Sequence, residues 1–177
     1  KPANTAQPPK MELRDLATGR TQSWQGMTTG TFASSSTHLL MRRRAPAGGG
    51  ARAGGAPSAG ARRGTDVVLY DLKNGRSQFL GAVGDALFNP HGTRLAYSVE
   101  AEVKDANGLF LLDLATGSTR TLDNDAKSYS RLAWSDDSKG IAVLKASDVE
   151  KMRERTATVV VFSDVTAAQP KPTCRSV

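Results

Sequence analysis

Few residues in this chain could do chemistry, and their spacing argues against most of it. Asp15, Asp71 and Asp113 recur in one short phrase, and repeated carboxylates are the raw material of a calcium site. His38 and His91 are the only imidazoles that could serve as a general base at neutral pH. Asp123-Asn124-Asp125 opens like a calcium-binding loop, and Glu100 and Glu102 share one side of any extended strand that holds both. Cys174 is the single cysteine, so no disulfide can close within the chain and the redox compartment stays open.

Each of these readings has a stronger competitor. The repeated aspartates precede turn residues, where a carboxylate accepts N–H groups of its own turn, and equivalent positions of successive repeats need not converge. The Asp123 loop lacks the glycine at its sixth position and the closing glutamate. Neither histidine has a nucleophilic serine or a carboxylate partner suggested by spacing, and the glutamate pair reads as a solvated strand end. A Gly-x-Ser-x-Gly elbow, a phosphate-binding glycine loop with its lysine and a His-Glu-x-x-His helix are all missing. The sequence therefore assigns no catalytic residue, no cofactor and no metal ligand.

What the aspartates do announce is a repeat. Asp15-Leu16-Ala17-Thr18-Gly19, Asp71-Leu72-Lys73-Asn74-Gly75 and Asp113-Leu114-Ala115-Thr116-Gly117 are spaced 56 and then 42 residues apart. A degenerate copy, Phe162-Ser163-Asp164-Val165, follows. A second element alternates with the first: an aromatic, a polar turn and an apolar strand, beginning at Phe32, Phe88 and Trp134. A period near 42 residues with two alternating hairpins is that of a four-stranded propeller blade.

Strand composition agrees. The runs 66–70, 109–112 and 158–162 are β-branched, aromatic and nearly continuously apolar, as in strands covered on both faces, and each is too short for a buried helix. The segments after the turns, such as Ser77-Gln78-Phe79-Leu80, alternate and fit half-wet outer strands. The expected fold is all-β, a partial propeller of about three and a half antiparallel blades. A flexible lead-in covers 1–10, a partial blade 11–24, and full blades 30–80, 85–122 and 130–165, with an irregular tail at 166–177. Such an arc cannot close a ring of four to eight blades, so the chain reads as a fragment with an exposed blade face and open strand edges.

The net charge of +7 suggests nucleic acid, but six arginines fall between residues 42 and 64 with no acid among them, leaving about +1 elsewhere. That Gly/Ala/Arg-rich insertion, 42–64, has no aromatic or large aliphatic residue and is expected to be disordered. Without stacking residues it makes a poor nucleic-acid arm, so a tolerated insertion is the better reading. The equivalent links, 100–107 and 148–155, should emerge from the same face of the ring. The last of these holds a capping-box pattern, Ser147 and Glu150, that could open a short charged helix. No apolar stretch is long enough to span a bilayer.

The phrase from Phe88 to Tyr97, aromatic-x-Pro-x-Gly-x-x-Leu-Ala-Tyr, followed by Leu-x-Asp-Leu-x-x-Gly at 111–117, resembles the repeats of the N-terminal β-propeller of bacterial prolyl oligopeptidase family serine peptidases, the dipeptidyl peptidase IV and acylaminoacyl peptidase group. It is also similar to the propeller of the periplasmic protein TolB, which has no catalytic role. The uneven blade lengths and the long insertion favour the peptidases. That resemblance implies a non-catalytic domain that filters peptide substrates for an α/β-hydrolase domain carrying the Ser-Asp-His triad. It also implies the remaining blades and that hydrolase domain as partners, and a periplasmic or secreted setting. The glutamate pair with which the dipeptidyl peptidase branch holds a substrate amino terminus has no matching motif here, so no site residue is carried over. The alternative is a non-enzymatic propeller that presents a protein-binding face.

Overall fold

The structure, a computed structural model, describes residues 9–44, 64–101, 103–147 and 156–176. These form thirteen strands: β1 (Lys10–Arg14), β2 (Thr21–Gln25), β3 (Met27–Phe32), β4 (His38–Arg43), β5 (Thr65–Asp71), β6 (Ser77–Phe88), β7 (Arg94–Val99), β8 (Gly108–Asp113), β9 (Thr119–Asn124), β10 (Ser128–Trp134), β11 (Ile141–Ser147), β12 (Thr156–Phe162) and β13 (Pro172–Ser176). One 3-10 turn, Lys104–Ala106, interrupts them. Every pairing is antiparallel and sequential.

The strands group as a half blade (β1–β2) and three full ones. Blade 2 is β3, β4, β5 and the start of β6. Blade 3 is the end of β6 with β7, β8 and β9, and blade 4 is β10 to β13. Blades 2 and 3 share β6, so their strands form one seven-stranded sheet. Residues 77–80 pair with β5 and 86–88 with β7, while Val83 lies between Thr65 of β5 and Val99 of β7 and pairs with both. The sequence suggests two strands, one ending at Leu80 and one starting at Asp85; a single twelve-residue strand is found. Gly81, Ala82 at φ 52° and Gly84 supply the turn of direction at its middle without breaking it.

Three further expectations are corrected. The tail is not irregular throughout 166–177: residues 172–176 form β13, which pairs with β12 as the outer strand of blade 4. Pro172 lacks an N–H, but at the first residue of an edge strand none is required. The insertion does not begin at Arg42, because Arg42 and Arg43 belong to β4 and Arg42 pairs with Val67. Lys10, assigned to the lead-in, starts β1 opposite Gln25. Residues 45–63 and 148–155, and with them the disordered insertion and the capping box, lie outside the described residues.

Blades pack face to face over three apolar layers. Met11, Leu13 and Trp24 of the half blade cover Met27, Leu39, Met41, Val68 and Tyr70 of blade 2. Val67, Leu69 and Leu80 meet Leu95, Tyr97 and Leu112 of blade 3. Ala96, Leu109 and Leu111 meet Tyr129, Ile141, Val143, Val160 and Phe162 of blade 4. The central runs in β5 and β8 are thus buried on both faces, as their continuous apolar character requires. β12 reads the same in sequence yet buries only Val160 and Phe162 fully; Val159 and Val161 point to the face of blade 4 on which no described residue packs.

Both hairpin families emerge at one end of the arc. In each Asp phrase the carboxylate accepts the N–H groups two and three residues on, and the glycine at positive φ returns its N–H to the aspartate carbonyl. The alternate turns place Ser36, Gly92 and Ser138 at φ 56°, 64° and 61°. These turns also clasp their neighbours: Ser34 Oγ donates to the Pro90 carbonyl, Ser35 Oγ to the Gly92 carbonyl, and the His91 N–H to Ser138 Oγ. At the opposite end, where the links between the second and third strands leave blades 2 and 3, the Gly64 N–H donates to the Glu100 carbonyl at 2.9 Å.

Candidate functional site at the channel mouth

The innermost strand of each full blade lines the central channel of a propeller, and here all three such strands are bulged. The register slips between Met27 and Thr29 in β3, between Val83 and Ala86 in β6, and between Ser130 and Ala133 in β10. The residues left without a partner are Thr28 in β3, Gly84 and Asp85 in β6, and Arg131 and Leu132 in β10, so that Asp85 and Arg131 each stand three residues before the aromatic of their repeat. A bulge re-aims the side chains it carries, so an acid, Asp85, and a guanidinium, Arg131, are turned at the mouth on the side from which the inserted links leave.

Beside two of these bulges lies a pocket of about 370 Å³ whose walls include Arg42, Asp85, Glu100, Tyr129 and Arg131. Arg42 is half-buried and fixed: its Nη1 donates to Thr65 Oγ1 at 2.8 Å and to the Val83 carbonyl at 2.9 Å. Asp85 is occupied on both oxygens, Oδ1 by its neighbour Ala86 N–H at 3.0 Å and Oδ2 by Leu132 N–H at 3.1 Å, so its carboxylate ties blade 3 to blade 4. The Asp85 N–H donates to the buried Ser98 hydroxyl. Glu100 is 7% exposed, not the solvated strand end expected; Glu102 lies outside the described residues. A Cβ at Gly84 would stand 2.9 Å from the Glu100 side chain, which is why the strand carries a glycine there. Arg131 sits at φ 57°, left-handed backbone that costs a non-glycine residue about 1 kcal/mol, and its side chain is exposed.

Tyr129 turns its hydroxyl away from the pocket. It donates to Asp123 Oδ2 at 2.9 Å, and the same oxygen accepts Lys145 Nζ at 2.7 Å. The ammonium also reaches Asp125 at 2.9 Å. The segment that opens like a calcium loop therefore grips a cation, and that cation is a lysine from the next blade. Burial and the Asp123 charge push the Tyr129 phenol well up. Burial lowers Lys145, but the hydrogen bonds to Asp123 and Asp125 outweigh it and push the ammonium well above its ordinary range. Both groups hold their protons at neutral pH, so neither is a base or a nucleophile.

The remaining sequence candidates are dispersed. His38 Nδ1 contacts Thr37 Oγ1 at 2.9 Å and lines a groove of about 390 Å³ between blades 2 and 3 with Asp71, whose carboxylate is already taken by Lys73, Asn74 and the Asn74 amide. His91 lies in the next turn, its backbone spent on Ser138. Asp15, Asp71 and Asp113 each serve their own turn, and among the described residues no three His, Cys, Asp or Glu side chains could hold a metal ion. Cys174 is exposed on β13. No helix among the described residues is long and apolar enough to cross a membrane. Sequence reading passed over Arg42, Asp85 and Arg131; their one signal is that Asp85 and Arg131 both stand three residues before the aromatic of their repeat.

No protein-family model and no curated protein sequence matches the chain. Solved structures do. The β-propeller domain of the trilobed protease from Pyrococcus furiosus aligns over 84% of this chain and 42% of its own, with a TM-score of 0.55 at 15% identity. Dipeptidyl peptidase 4 from Porphyromonas gingivalis aligns over 87% of this chain and 26% of its own, with 0.57 at 13% identity. TolB from Acinetobacter baumannii aligns over 96% of this chain and 38% of its own, with 0.51 at 15% identity. The fold is that of a β-propeller, present as an arc, and the chain spans less than half the length of these structures. The peptidase and TolB propellers that its repeats resemble in sequence are among its structural neighbours.

Proposed function

We propose that this chain is part of the non-catalytic propeller of a serine peptidase and filters peptides on their way to an α/β-hydrolase domain. The observation that carries the reading is the match of the arc to propellers of two peptidases, at TM-scores of 0.55 and 0.57. Two features of the molecule support it. Among the described residues nothing forms a nucleophile with its base, so chemistry would belong to another domain, and the bulged inner strands present polar side chains where a peptide would pass. The filtering itself would be steric, a channel mouth that admits an extended chain and excludes a folded one.

The test begins with the reading frame that surrounds these residues in its gene. A downstream Gly-x-Ser-x-Gly with later Asp and His is expected. The whole protein should then react with a fluorophosphonate and cleave a short peptide but not a folded protein containing the same sequence. A frame that ends after a closed ring, or a whole protein that no serine-directed probe labels, would overturn it. The second reading, a TolB-like scaffold that binds other proteins, draws on the 96% of this chain that aligns with TolB; that negative outcome is the result it predicts.

A further inference from the structure

The pocket at the channel mouth is lined by two guanidiniums and two carboxylates, which differ in how far their hydrogen-bonding groups are used. Its acids keep their charge but have their acceptors in use: Asp85 accepts two backbone N–H groups, and Glu100 is buried and engaged. Its cations have donors to spare. Arg42 uses only Nη1, leaving Nη2 and Nε without a partner among the described residues, and Arg131 makes no hydrogen bond or ion pair among them. Arg131 also occupies a left-handed bulge position where glycine would be the easier residue. Two arginines among the residues lining one cavity of about 370 Å³, one of them held by Thr65 and Val83, offer planar N–H donors of the kind that suit an anion of carboxylate size.

We propose that this pocket is a carboxylate-binding site, with Arg131 as the anchoring guanidinium and Arg42 as the second donor, and that its ligand is the C-terminal carboxylate of a short peptide. The choice of a peptide rests on the reading given under Proposed function; the carboxylate chemistry does not. A carboxylate entering the pocket gains charge-assisted hydrogen bonds from the two arginines without displacing the bonds Arg42 already makes, and these must outweigh the repulsion of Asp85 and Glu100. A peptide so held would enter the channel with its C-terminus oriented.

The test is calorimetric titration of the full chain with acetylated trialanine as the free acid, with its C-terminal amide, and with glutarate as a non-peptide dicarboxylate. The acid is expected to bind at least about tenfold more tightly than the amide, weakening as salt rises, since a charge-assisted hydrogen bond roughly doubles a neutral one. Arg131→Gly relieves the left-handed backbone, so its thermal midpoint should not fall, yet the preference for the acid should shrink to within about twofold. Arg131→Lys should fall between. Arg131→Asn, which also tolerates this backbone, serves as the second variant if Arg131→Gly loses structure.

Equal binding of acid and amide, binding of neither, or an acid preference that survives both Arg131→Gly and Arg131→Asn would overturn the site. These results leave the peptidase reading to its own test. Glutarate binding as tightly as the peptide acid, and lost with Arg131, would uphold the carboxylate site while removing the peptide from it.

Discussion

Lys145 Nζ on blade 4 and Asp123 Oδ2 on blade 3 lie 2.7 Å apart, and the Tyr129 hydroxyl donates to the same oxygen. Asp125 closes the cluster at 2.9 Å from the ammonium. The lysine and Asp123 side chains are 16% and 23% exposed, so water screens them only in part. With Arg120, whose guanidinium donates to the carbonyls of Val165 and Ala167, they join the Asp85–Leu132 and His91–Ser138 bonds in the polar fastening of the blade 3–blade 4 interface.

Lys145→Met should therefore destabilise the chain by about 1–2 kcal/mol, less than a fully buried pair because solvent reaches this one. Urea unfolding measures it. Lys145→Met combined with Asp123→Asn should recover part of the loss, since the neutral amide no longer leaves an unpaired charge.

The pH dependence follows from the directions of the shifts. Lys145 hydrogen bonds hold Asp125 below the ordinary carboxylate value of 3.8, and the Thr116 N–H does the same for Asp113 against a smaller opposing effect of burial. A depressed folded value means that the stabilisation is complete above about pH 4 and disappears as the pH falls through the folded values. The Lys145 contribution runs the other way: it is complete below the ordinary lysine value of 10.5 and is lost only as the pH rises past it to the raised folded value. Stability from these groups should be flat between about pH 5 and 10, and Asp113→Asn should flatten the acid limb, as followed by circular dichroism.

Two glycines with nearly equal φ should respond differently to alanine. At Gly117, φ 71°, a Cβ meets nothing within 4 Å, so Gly117→Ala should cost only the backbone strain, about 1 kcal/mol. At Gly92, φ 64°, the Cβ would stand 2.4 Å from the Ser35 nitrogen of the neighbouring blade, and Gly92→Ala should cost about 2–4 kcal/mol. Equal thermal shifts would mean that the turns of blades 2 and 3 do not clasp.

Leu111 on β8 and Val161 on β12 occupy equivalent outward positions, each paired across from the Ala of its repeat, Ala96 or Ala142. Leu111 is 5% exposed beneath blade 4, whereas Val161 is half-buried on the uncovered face. Leu111→Ala should cost about 2–5 kcal/mol, and Val161→Ala under about 1. A large effect at Val161 would mean that something covers that face in solution.

The parts legible in the sequence are those written into a few adjacent residues. Each Asp phrase holds its acceptor, donors and positive-φ glycine within five residues, so the turn could be read and the calcium reading set aside. β13 was hidden because Pro170 and Pro172 look like an end to pairing, whereas an outer edge strand tolerates them. Lys145 was invisible as a partner of Asp123 because 22 residues separate them and only blade packing joins them. The bulges escaped notice for another reason: Arg131 and Ala82 adopt positive φ without being glycine, so composition gives no warning.

The clasped turns carry a consequence for how the arc comes apart. The apolar layers join each blade to its immediate neighbours, and the turns add hydrogen bonds from Ser34 and Ser35 to blade 3 and from the His91 N–H to Ser138 of blade 4. Such a molecule opens from its flanks inward rather than all at once, as a stack loses its outermost plates first. Amide exchange should accordingly be slowest in β5, β7 and β8, which have a blade on either side, and fastest in β1 and β13, so that the middle of the chain keeps time for both ends.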